Sequence, residues 1–286
     1  MRHVYECPLR WADLDQQGHI NNVIYVDYLQ ESRVDMLLTH SPDSRSDDLA
    51  EGVVVVRHEV QYTAPLKFRP EPVKIESWVT EIRAASFTMA YEIYDDAPDG
   101  RIVYLRATTL LTPYVFAAEK PRRITPDERE SLQRFFEPTP SVPRERPGEP
   151  KRDDRKHYPV QVRFSDVDVY GHVNNVKYFE YFQEARISYL HRLLADSPGA
   201  DAPALVIAQT DVDYKVPILF RPESYDAWTW VTQVGRSSFE LESEIRDGDT
   251  LLSRCRVVAV TFDPETQRSS PAPDGYREIL LAELSR

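Results

Sequence analysis

The 286-residue sequence lacks the features that mark membrane-spanning, exported or nucleic-acid-binding proteins. No apolar run approaches the roughly 18 residues that a membrane-spanning helix needs. The N-terminus, Met1-Arg-His-Val-Tyr-Glu-Cys-Pro, has no apolar signal core. Positive charge is in deficit, because the formal net charge is −12. This balance argues against broad binding of nucleic acid or of anionic membranes, so we expect a cytoplasmic protein with neither as a partner.

Cysteine is also scarce, with only Cys7 and Cys255. These two residues occupy unlike positions in the two halves and have no metal-ligand spacing, so we interpret them as reduced thiols packed in strands. No metal and no other cofactor is expected. The chain does contain 41% hydrophobic and 29% charged residues, a balance typical of a globular protein. Its length suggests two domains of ordinary size.

One polar stretch occurs twice, and the two copies start at Arg10 and at Arg163. Nine residues recur 153 positions later: Arg10, Asp13, Asp15, Gly18, His19, Asn21, Asn22, Val23 and Tyr25. Each copy lies between a predicted strand and a predicted helix, where free backbone N–H groups can bind an anion. Residues 62–71 return as 214–223, so the repeat covers most of both halves.

Hydrophobic periodicity predicts the same order of elements in both halves. The first half is predicted as a strand over 3–11, a helix from Asn21 or Asn22 to about 39, strands over 53–62, 73–82, 87–94 and 102–114, and a short helix from 125 to about 136. The second half is predicted as a strand over 158–164, a helix over 174–194, strands over 204–214, 227–234, 239–246 and 251–262, and a helix over 274–284.

A segment rich in proline and charge separates the halves. Such a segment is extended and semi-rigid, and we expect it to lie outside both cores. The predicted organisation is therefore a domain over 1–137, a linker over 138–156 and a domain over 157–286.

One long helix and a four-strand meander suggest an α+β domain in which a sheet curls around a buried helix. Such a sheet leaves an edge strand and apolar surface open, so the two lobes are expected to pair as an intramolecular pseudo-dimer. Whether pseudo-dimers assemble further into a homo-oligomer stays open.

The repeated pattern Asp-x-Asp-x-x-Gly-His-(Val/Ile)-Asn-Asn-x-x-Tyr leads into a helix with Gln-Glu-x-Arg. It resembles the hotdog-fold thioesterases, in particular the 4-hydroxybenzoyl-CoA thioesterase superfamily and the tandem-hotdog acyl-ACP thioesterases. The resemblance implies two tandem hotdog domains, each an antiparallel sheet wrapped around a long central helix. It also implies hydrolysis of an acyl-CoA or acyl carrier protein thioester.

The resemblance places the catalytic carboxylate at the second Asp of each copy, whereas the residues alone do not choose between the two Asp. Further family positions match a histidine and a helix glutamate in each copy. The implied catalytic set is Asp15, Asp168, His19, His172, Glu31 and Glu184. The histidine would orient the carboxylate or polarise the thioester carbonyl. Gln17 and Tyr170 replace the family's Asn, which favours a simpler scheme of carboxylate plus backbone amides.

The residues themselves suggest further substrate contacts. Gly18 and Gly171 permit a tight turn, and the amides after them, over 19–21 and 172–174, are candidates for an oxyanion hole that includes Asn21 and Asn174. Ser86 and Ser238 either contact the phosphate or pantetheine of the substrate or form a turn. Asp13 and Asp166 are expected to be structural, either accepting hydrogen bonds from loop amides or pairing with Arg10 and Arg163. Candidate phosphate-binding cations are Lys67, Arg69, Lys177, Arg221 and Arg236.

Two other functions compete with thioester hydrolysis. Hotdog hydratases and dehydratases usually carry Asp and His five apart with Asn-Pro between them, whereas Asp15 and His19 are four apart. A non-catalytic acyl-binding module would be favoured by loss of Asp from one copy, but both copies keep it. We therefore expect two competent half-sites between the lobes.

Overall fold

A computed structural model of the protein describes residues 1–40, 52–139, 148–197 and 202–284. The chain divides into two compact units, unit 1 (Met1–Pro143) and unit 2 (Arg144–Arg286). The middle of the predicted linker, residues 140–147, lies outside the described residues. None of the described helices is both long enough and apolar enough to cross a bilayer.

Unit 1 is an antiparallel sheet with one long helix and one short helix. Its elements are β1 (His3–Cys7), α1 (Ile24–His40), β2 (Val53–Tyr62), β3 (Val73–Ile82), β4 (Phe87–Ala97), β5 (Gly100–Val115), β6 (Lys120–Pro121) and α2 (Pro126–Gln133). The strand order is β1-β3-β4-β5-β2, and β6 pairs with the end of β5. Helix α1 packs on β1 and β3.

Unit 2 repeats this arrangement. Its elements are β7 (His157–Val160), α3 (Lys177–Ala195), β8 (Ala204–Tyr214), β9 (Tyr225–Val234), β10 (Ser238–Asp247), β11 (Thr250–Asp263), β12 (Arg268–Ser269) and α4 (Asp274–Leu284). The strand order is β7-β9-β10-β11-β8, and β12 pairs with β11. Helix α3 packs on β7, β9 and β10.

Alternation along the strands explains the core of unit 1. In β3, Val73, Ile75, Ser77 and Val79 are fully buried, and the residues that alternate with them face the other side of the sheet and are half-buried. The facing stripe of α1 contains Val26 and Leu29, which are also fully buried. Burial of apolar surface on this scale is the main term that holds a helix against a sheet.

Several predicted boundaries are wrong near the repeated stretch. The first strand ends at Cys7, because Pro8 cannot donate to a ladder, and Trp11–Asp13 forms a 3₁₀ turn instead. The matching strand of unit 2 ends at Val160, before the 3₁₀ turn Phe164–Asp166. The long helices start at Ile24 and Lys177, two to three residues later than predicted.

The end of the predicted linker is part of unit 2, contrary to the expectation that it lies outside both cores. Lys156 is 2% exposed, and its Nζ lies 2.7 Å from Asp153 Oδ2. Arg155 donates to Glu283 Oε1 at 2.7 Å, and Arg152 pairs with the buried Glu244. Buried carboxylates need such cationic partners, so composition alone misassigned this segment.

Candidate active site

A tight turn presents Asp15 between the 3₁₀ turn and helix α1. The amide of Asp15 donates to the His19 carbonyl at 2.8 Å, and the Gly18 amide donates to the Asp15 carbonyl at 3.1 Å. Gly18 has φ +75°, a left-handed conformation that other residues adopt only with strain. Because open space surrounds the position of a Cβ there, the backbone angle selects glycine and packing does not.

The turn of unit 2 has the same geometry. The Asp168 amide donates to the His172 carbonyl at 2.8 Å, and the Gly171 amide donates to the Asp168 carbonyl at 3.1 Å. Gly171 has φ +82°. The glycine turns predicted from the sequence are therefore present in both copies.

One carboxylate oxygen of each catalytic candidate is held by the turn itself. Asp15 Oδ1 accepts the amides of Gln17 at 2.8 Å and His19 at 3.0 Å. Asp168 Oδ1 accepts the amides of Tyr170 at 2.9 Å and His172 at 3.2 Å. Within the described residues, Oδ2 of either Asp accepts no hydrogen bond. Both side chains are half-buried, so each turn fixes one oxygen and leaves the other available.

The first Asp of each copy is a structural anchor, as predicted. Asp13 is 5% exposed, and its Oδ2 accepts the Tyr28 hydroxyl at 2.5 Å and Arg10 Nε at 2.8 Å. The hydrogen bond from Tyr28 ties the turn to the first part of α1. Burial, followed by the hydrogen bond to Asp13, raises the pKa of Tyr28.

Asp166 is the corresponding anchor of unit 2. Its Oδ2 accepts the Tyr181 hydroxyl at 2.6 Å and the backbone amide of Arg163 at 2.9 Å. Arg163 is thus a partner of Asp166, but it donates this hydrogen bond through its backbone amide.

The segment between the second and third strands of each unit pins the turn from its other side. In unit 1 the Ile20 amide donates to the Leu66 carbonyl at 2.8 Å, and His19 forms an isolated antiparallel bridge with Lys67. The Leu66 amide donates to the Tyr25 hydroxyl at 3.3 Å. Burial raises the pKa of Tyr25, which favours this neutral hydroxyl.

Unit 2 repeats these contacts at its own residues. The Val173 amide donates to the Ile218 carbonyl at 2.9 Å, and the Ile218 amide donates to the Tyr178 hydroxyl at 2.9 Å. His172 forms the bridge with Leu219. The two repeated sequence blocks, 10–25 with 62–71 and 163–178 with 214–223, therefore meet in each unit.

Comparison with known proteins identifies the family of this doubled unit. A model of the Thioesterase-like superfamily matches residues 9–134 and again residues 162–280. The chain belongs to the Thioesterase-like superfamily. Both matches include the turn, and together they cover most of the chain.

Individual proteins and solved structures are also similar to this chain. The protein YsmA of Bacillus subtilis (strain 168) is 33% identical over 124 residues, which are 43% of this chain and 82% of YsmA. A Lactobacillus plantarum protein assigned as an oleoyl thioesterase superposes with a TM-score of 0.74 at 17% identity, over 92% of this chain and 97% of that one. The 12:0-ACP thioesterase of Umbellularia californica gives 0.69 at 16% identity, over 91% and 94%. The fold is that of tandem hotdog domains.

The oxyanion hole predicted from the sequence is wrong for the amides named. In unit 1 the amides of residues 19, 20 and 21 donate to Asp15 Oδ1, the Leu66 carbonyl and the Asp13 carbonyl. In unit 2 the amides of residues 172, 173 and 174 donate to Asp168 Oδ1, the Ile218 carbonyl and the Asp166 carbonyl. The side chains of Asn21 and Asn174 instead cap the chain before the helix, accepting the amides of Val23 and Val176 at 3.3 Å.

The histidines have different surroundings from those predicted. His19 is 8% exposed, and within the described residues its ring makes no hydrogen bond to Asp15, whose carboxylate is oriented by amides. An orienting role for the His19 ring is therefore wrong for unit 1, and polarisation of a substrate carbonyl remains a prediction. His172 is half-buried at the same position of the second turn.

The helix glutamates of the thioesterase resemblance are exposed. Glu31 contributes to raising the pKa of Tyr5 on β1, and Glu184 contributes to raising that of Tyr158 on β7, although burial is the larger cause for both tyrosines. These glutamates therefore face the outer strand of their own unit. Among the described residues of each unit, no contact brings them to Asp15 or Asp168.

Sequence reasoning missed the buried polar residues beside them. Arg33 and Arg186 are each 7% exposed, on the inner stripe of their helices. Arg33 Nη1 and Asn22 Nδ2 are buried donors without an acceptor in the described part of the chain. Helical spacing carried the signal for arginine, because Arg33 follows the buried Leu29 by four positions.

The two serines lie elsewhere in their own units. The carbonyl of Ser86 accepts the Arg83 amide at 2.8 Å, and that of Ser238 accepts the Gly235 amide at 2.7 Å, so both form strand turns. The full length of β3 separates Ser86 from the segment that pins the Asp15 turn, a distance on the order of 30 Å. Within one unit these serines are not part of the site.

Proposed function

We propose that the protein hydrolyses acyl thioesters to a free acid and a thiol, with Asp15 and Asp168 as the catalytic carboxylates. The acyl donor is an acyl-CoA or an acyl carrier protein thioester, and the thiol released is coenzyme A or the carrier protein. One observation carries the proposal: each turn fixes Asp Oδ1 with two amides and leaves Oδ2 without a partner in the described residues. Membership of the Thioesterase-like superfamily supports it.

A carboxylate held in this way can act in two chemically balanced ways. As a base, Oδ2 takes a proton from water while the water oxygen bonds to the thioester carbonyl carbon. The tetrahedral intermediate then expels the thiolate, which takes the proton back. As a nucleophile, Oδ2 bonds to the carbonyl carbon and expels the thiolate, and water then cleaves the mixed anhydride.

The start of each long helix supplies electrostatic help for either route. Each turn ends four residues before its helix, α1 or α3, whose start carries the partial positive charge of the helix dipole. Negative charge developing on the carbonyl oxygen is stabilised there, although the amides of 19–21 and 172–174 are already used.

A thiol-release screen across acyl-CoA chain lengths and acyl carrier proteins tests the proposal. The wild-type chain is compared with Asp15→Asn, Asp168→Asn and the double variant, and with Asp127→Asn, an exposed carboxylate on α2, as a control away from the turn. Release by the wild type that falls to background in the folded double variant supports the mechanism. A folded double variant with full activity would sink it. After single turnover in ¹⁸O-water, label in the Asp side chain identifies the anhydride route, because water that attacks the Asp carbonyl carbon of the anhydride leaves its oxygen there.

A further inference from the structure

The two turns share a backbone but differ in the side chains around them. We use "rim" for positions 11, 16, 17, 67 and 68 of unit 1 and for positions 164, 169, 170, 219 and 220 of unit 2. Each rim carries an exposed pair of aromatic rings in edge contact. Trp11 and Phe68 lie 5.6 Å apart between centroids, and Phe164 and Phe220 lie 6.0 Å apart.

The remaining rim positions differ in polarity. Unit 1 has Gln16, Gln17 and Lys67, all exposed. Unit 2 has Val169, Tyr170 and Leu219, which are 93%, 39% and 49% exposed. Position 67 of unit 1 and position 219 of unit 2 make the same backbone bridge to the histidine of the turn. The contrast between the rims is therefore one of side-chain chemistry on matched backbones.

Lys67 differs from most of the other candidate phosphate-binding cations. Arg69 pairs with Asp95, Lys177 with Glu180 and Arg221 with Asp247. Carboxylates thus neutralise three of the five candidates.

The two remaining candidate cations, Arg236 and Lys67, lie at different places in their own units. Arg236 follows β9, at the turn into β10, at the strand end remote from the pinning segment of its unit. Lys67 is exposed, adjoins His19 through the backbone bridge, and makes no ion pair or hydrogen bond through its side chain within the described residues.

An unpaired lysine beside exposed aromatic rings suits a phosphate carried on a partly apolar arm. The phosphate supplies the charge, and the arm contributes surface that packs on the rings. Coenzyme A and acyl carrier proteins share this chemistry, since both carry the thiol on a phosphorylated pantetheine arm. Against a net charge of −12, a local cation also offsets the repulsion of an anionic substrate.

We propose that the rim of unit 1 binds a phosphate of the thiol carrier through Lys67, and that the apolar rim of unit 2 does not. The two turns then differ in KM for phosphorylated substrates. This inference rests on the proposed function for its substrate.

Steady-state kinetics on the full chain test it with one acyl group on two carriers. Acyl-CoA carries phosphate, whereas acyl-N-acetylcysteamine does not. Asp168→Asn isolates the turn of unit 1, and Asp15→Asn isolates that of unit 2. In the Asp168→Asn background, Lys67→Leu is expected to raise KM for acyl-CoA about 1.5- to 5-fold, the range for an exposed charge contact. The kcat and the kinetics of acyl-N-acetylcysteamine are expected to stay the same.

Matched variants sharpen the comparison. Lys67→Arg keeps the charge and is expected to retain the low KM, and Lys67→Glu is expected to raise it further than leucine does. In the Asp15→Asn background, Leu219→Lys is expected to lower KM for acyl-CoA. Lys120→Leu removes an exposed lysine on β6 and controls for the change in net charge. Acyl-phosphopantetheine and acyl carrier protein show which phosphate source the rim uses.

Failure of the inference is distinguishable from failure of the proposed function. Equal effects of Lys67→Leu on both carriers, or no effect on either, overturn the inference. If no carrier is hydrolysed at all, the proposed function fails. Calorimetric titration with coenzyme A then decides the inference separately: a Kd raised in Lys67→Leu supports it, and an unchanged Kd, or no binding to the wild type, refutes it.

Discussion

Replacing Asp15 by Asn and by Ala separates the hydrogen-bonding role that the structure gives to this side chain from the catalytic role that we propose for it. Asn keeps an Oδ1 that accepts the Gln17 and His19 amides but replaces Oδ2 with an NH₂ group that cannot take a proton. Ala removes both functions. We expect Asp15→Asn to change the free energy of unfolding by less than about 0.5 kcal/mol.

The cost of Asp15→Ala follows from the two hydrogen bonds it removes. A hydrogen bond to a charged group contributes about 1.5–3 kcal/mol. Because the turn is half-exposed, water replaces part of these hydrogen bonds in the variant. We therefore expect Asp15→Ala to lower the free energy of unfolding by about 1–3 kcal/mol in total. Urea unfolding of both variants measures the difference.

The two variants are expected to differ in stability but to lose catalytic activity alike. In the Asp168→Asn background, Asp15→Asn and Asp15→Ala should both lower kcat by roughly 10²–10⁴, the range for loss of a general base. Thiol release measures kcat in that background. Activity in Asp15→Asn close to that of its parent would refute the catalytic role of Oδ2. A loss of stability as large as that of Asp15→Ala would refute the assignment of Oδ1 to the turn.

Two further predictions concern pH. Glu76 binds Arg101 at 2.9 Å and Arg2 at 2.9 Å, and Arg101 followed by Arg2 lowers the pKa of its carboxyl to about 2, against the opposing effect of burial. Because the carboxyl pKa is lower in the folded state than its unfolded value near 4.3, Glu76 stabilises the fold above that pH, and stability should fall as pH drops towards 2. Glu76→Gln should lower the free energy of unfolding by about 1–3 kcal/mol at pH 7. Urea unfolding at a series of pH values should show a flatter pH dependence for this variant. The raised pKa of Tyr28 gives stability the opposite dependence on pH: Tyr28 stabilises the fold below about pH 10, and this stabilisation is lost as pH rises above that value. An alkaline unfolding curve that is unchanged in Tyr28→Phe would contradict this.

Hydrophobic periodicity was sufficient to predict the strands and long helices, because the alternation of apolar and polar residues in segments such as β3 directly reflects burial. It failed where hydrogen bonds outside any regular element decide the chain path. Pro8 ends β1, and Asp13 fixes a 3₁₀ turn through Tyr28, a residue 15 positions away. Such a pairing has no local sequence signal.

The repeated turn could be located from the sequence, but its hydrogen bonds could not be predicted. The duplication marked both Asp of each copy and the resemblance chose Asp15 and Asp168, whose turns the structure describes in detail. The number of free amides was overestimated, since each amide after Gly18 has an acceptor that only the folded chain supplies, such as the Leu66 carbonyl. Glu31 is exposed and Arg33 is buried, because a two-residue offset on a helix exchanges the exposed and buried faces.

Carrying both turns on one polypeptide removes a constraint that identical subunits would impose. In a homodimer, any substitution beside one catalytic carboxylate is copied beside the other. Here a codon for residue 67 and a codon for residue 219 change separately, while the backbone bridges around them stay alike. The side chains beside the two turns can therefore diverge independently within one gene.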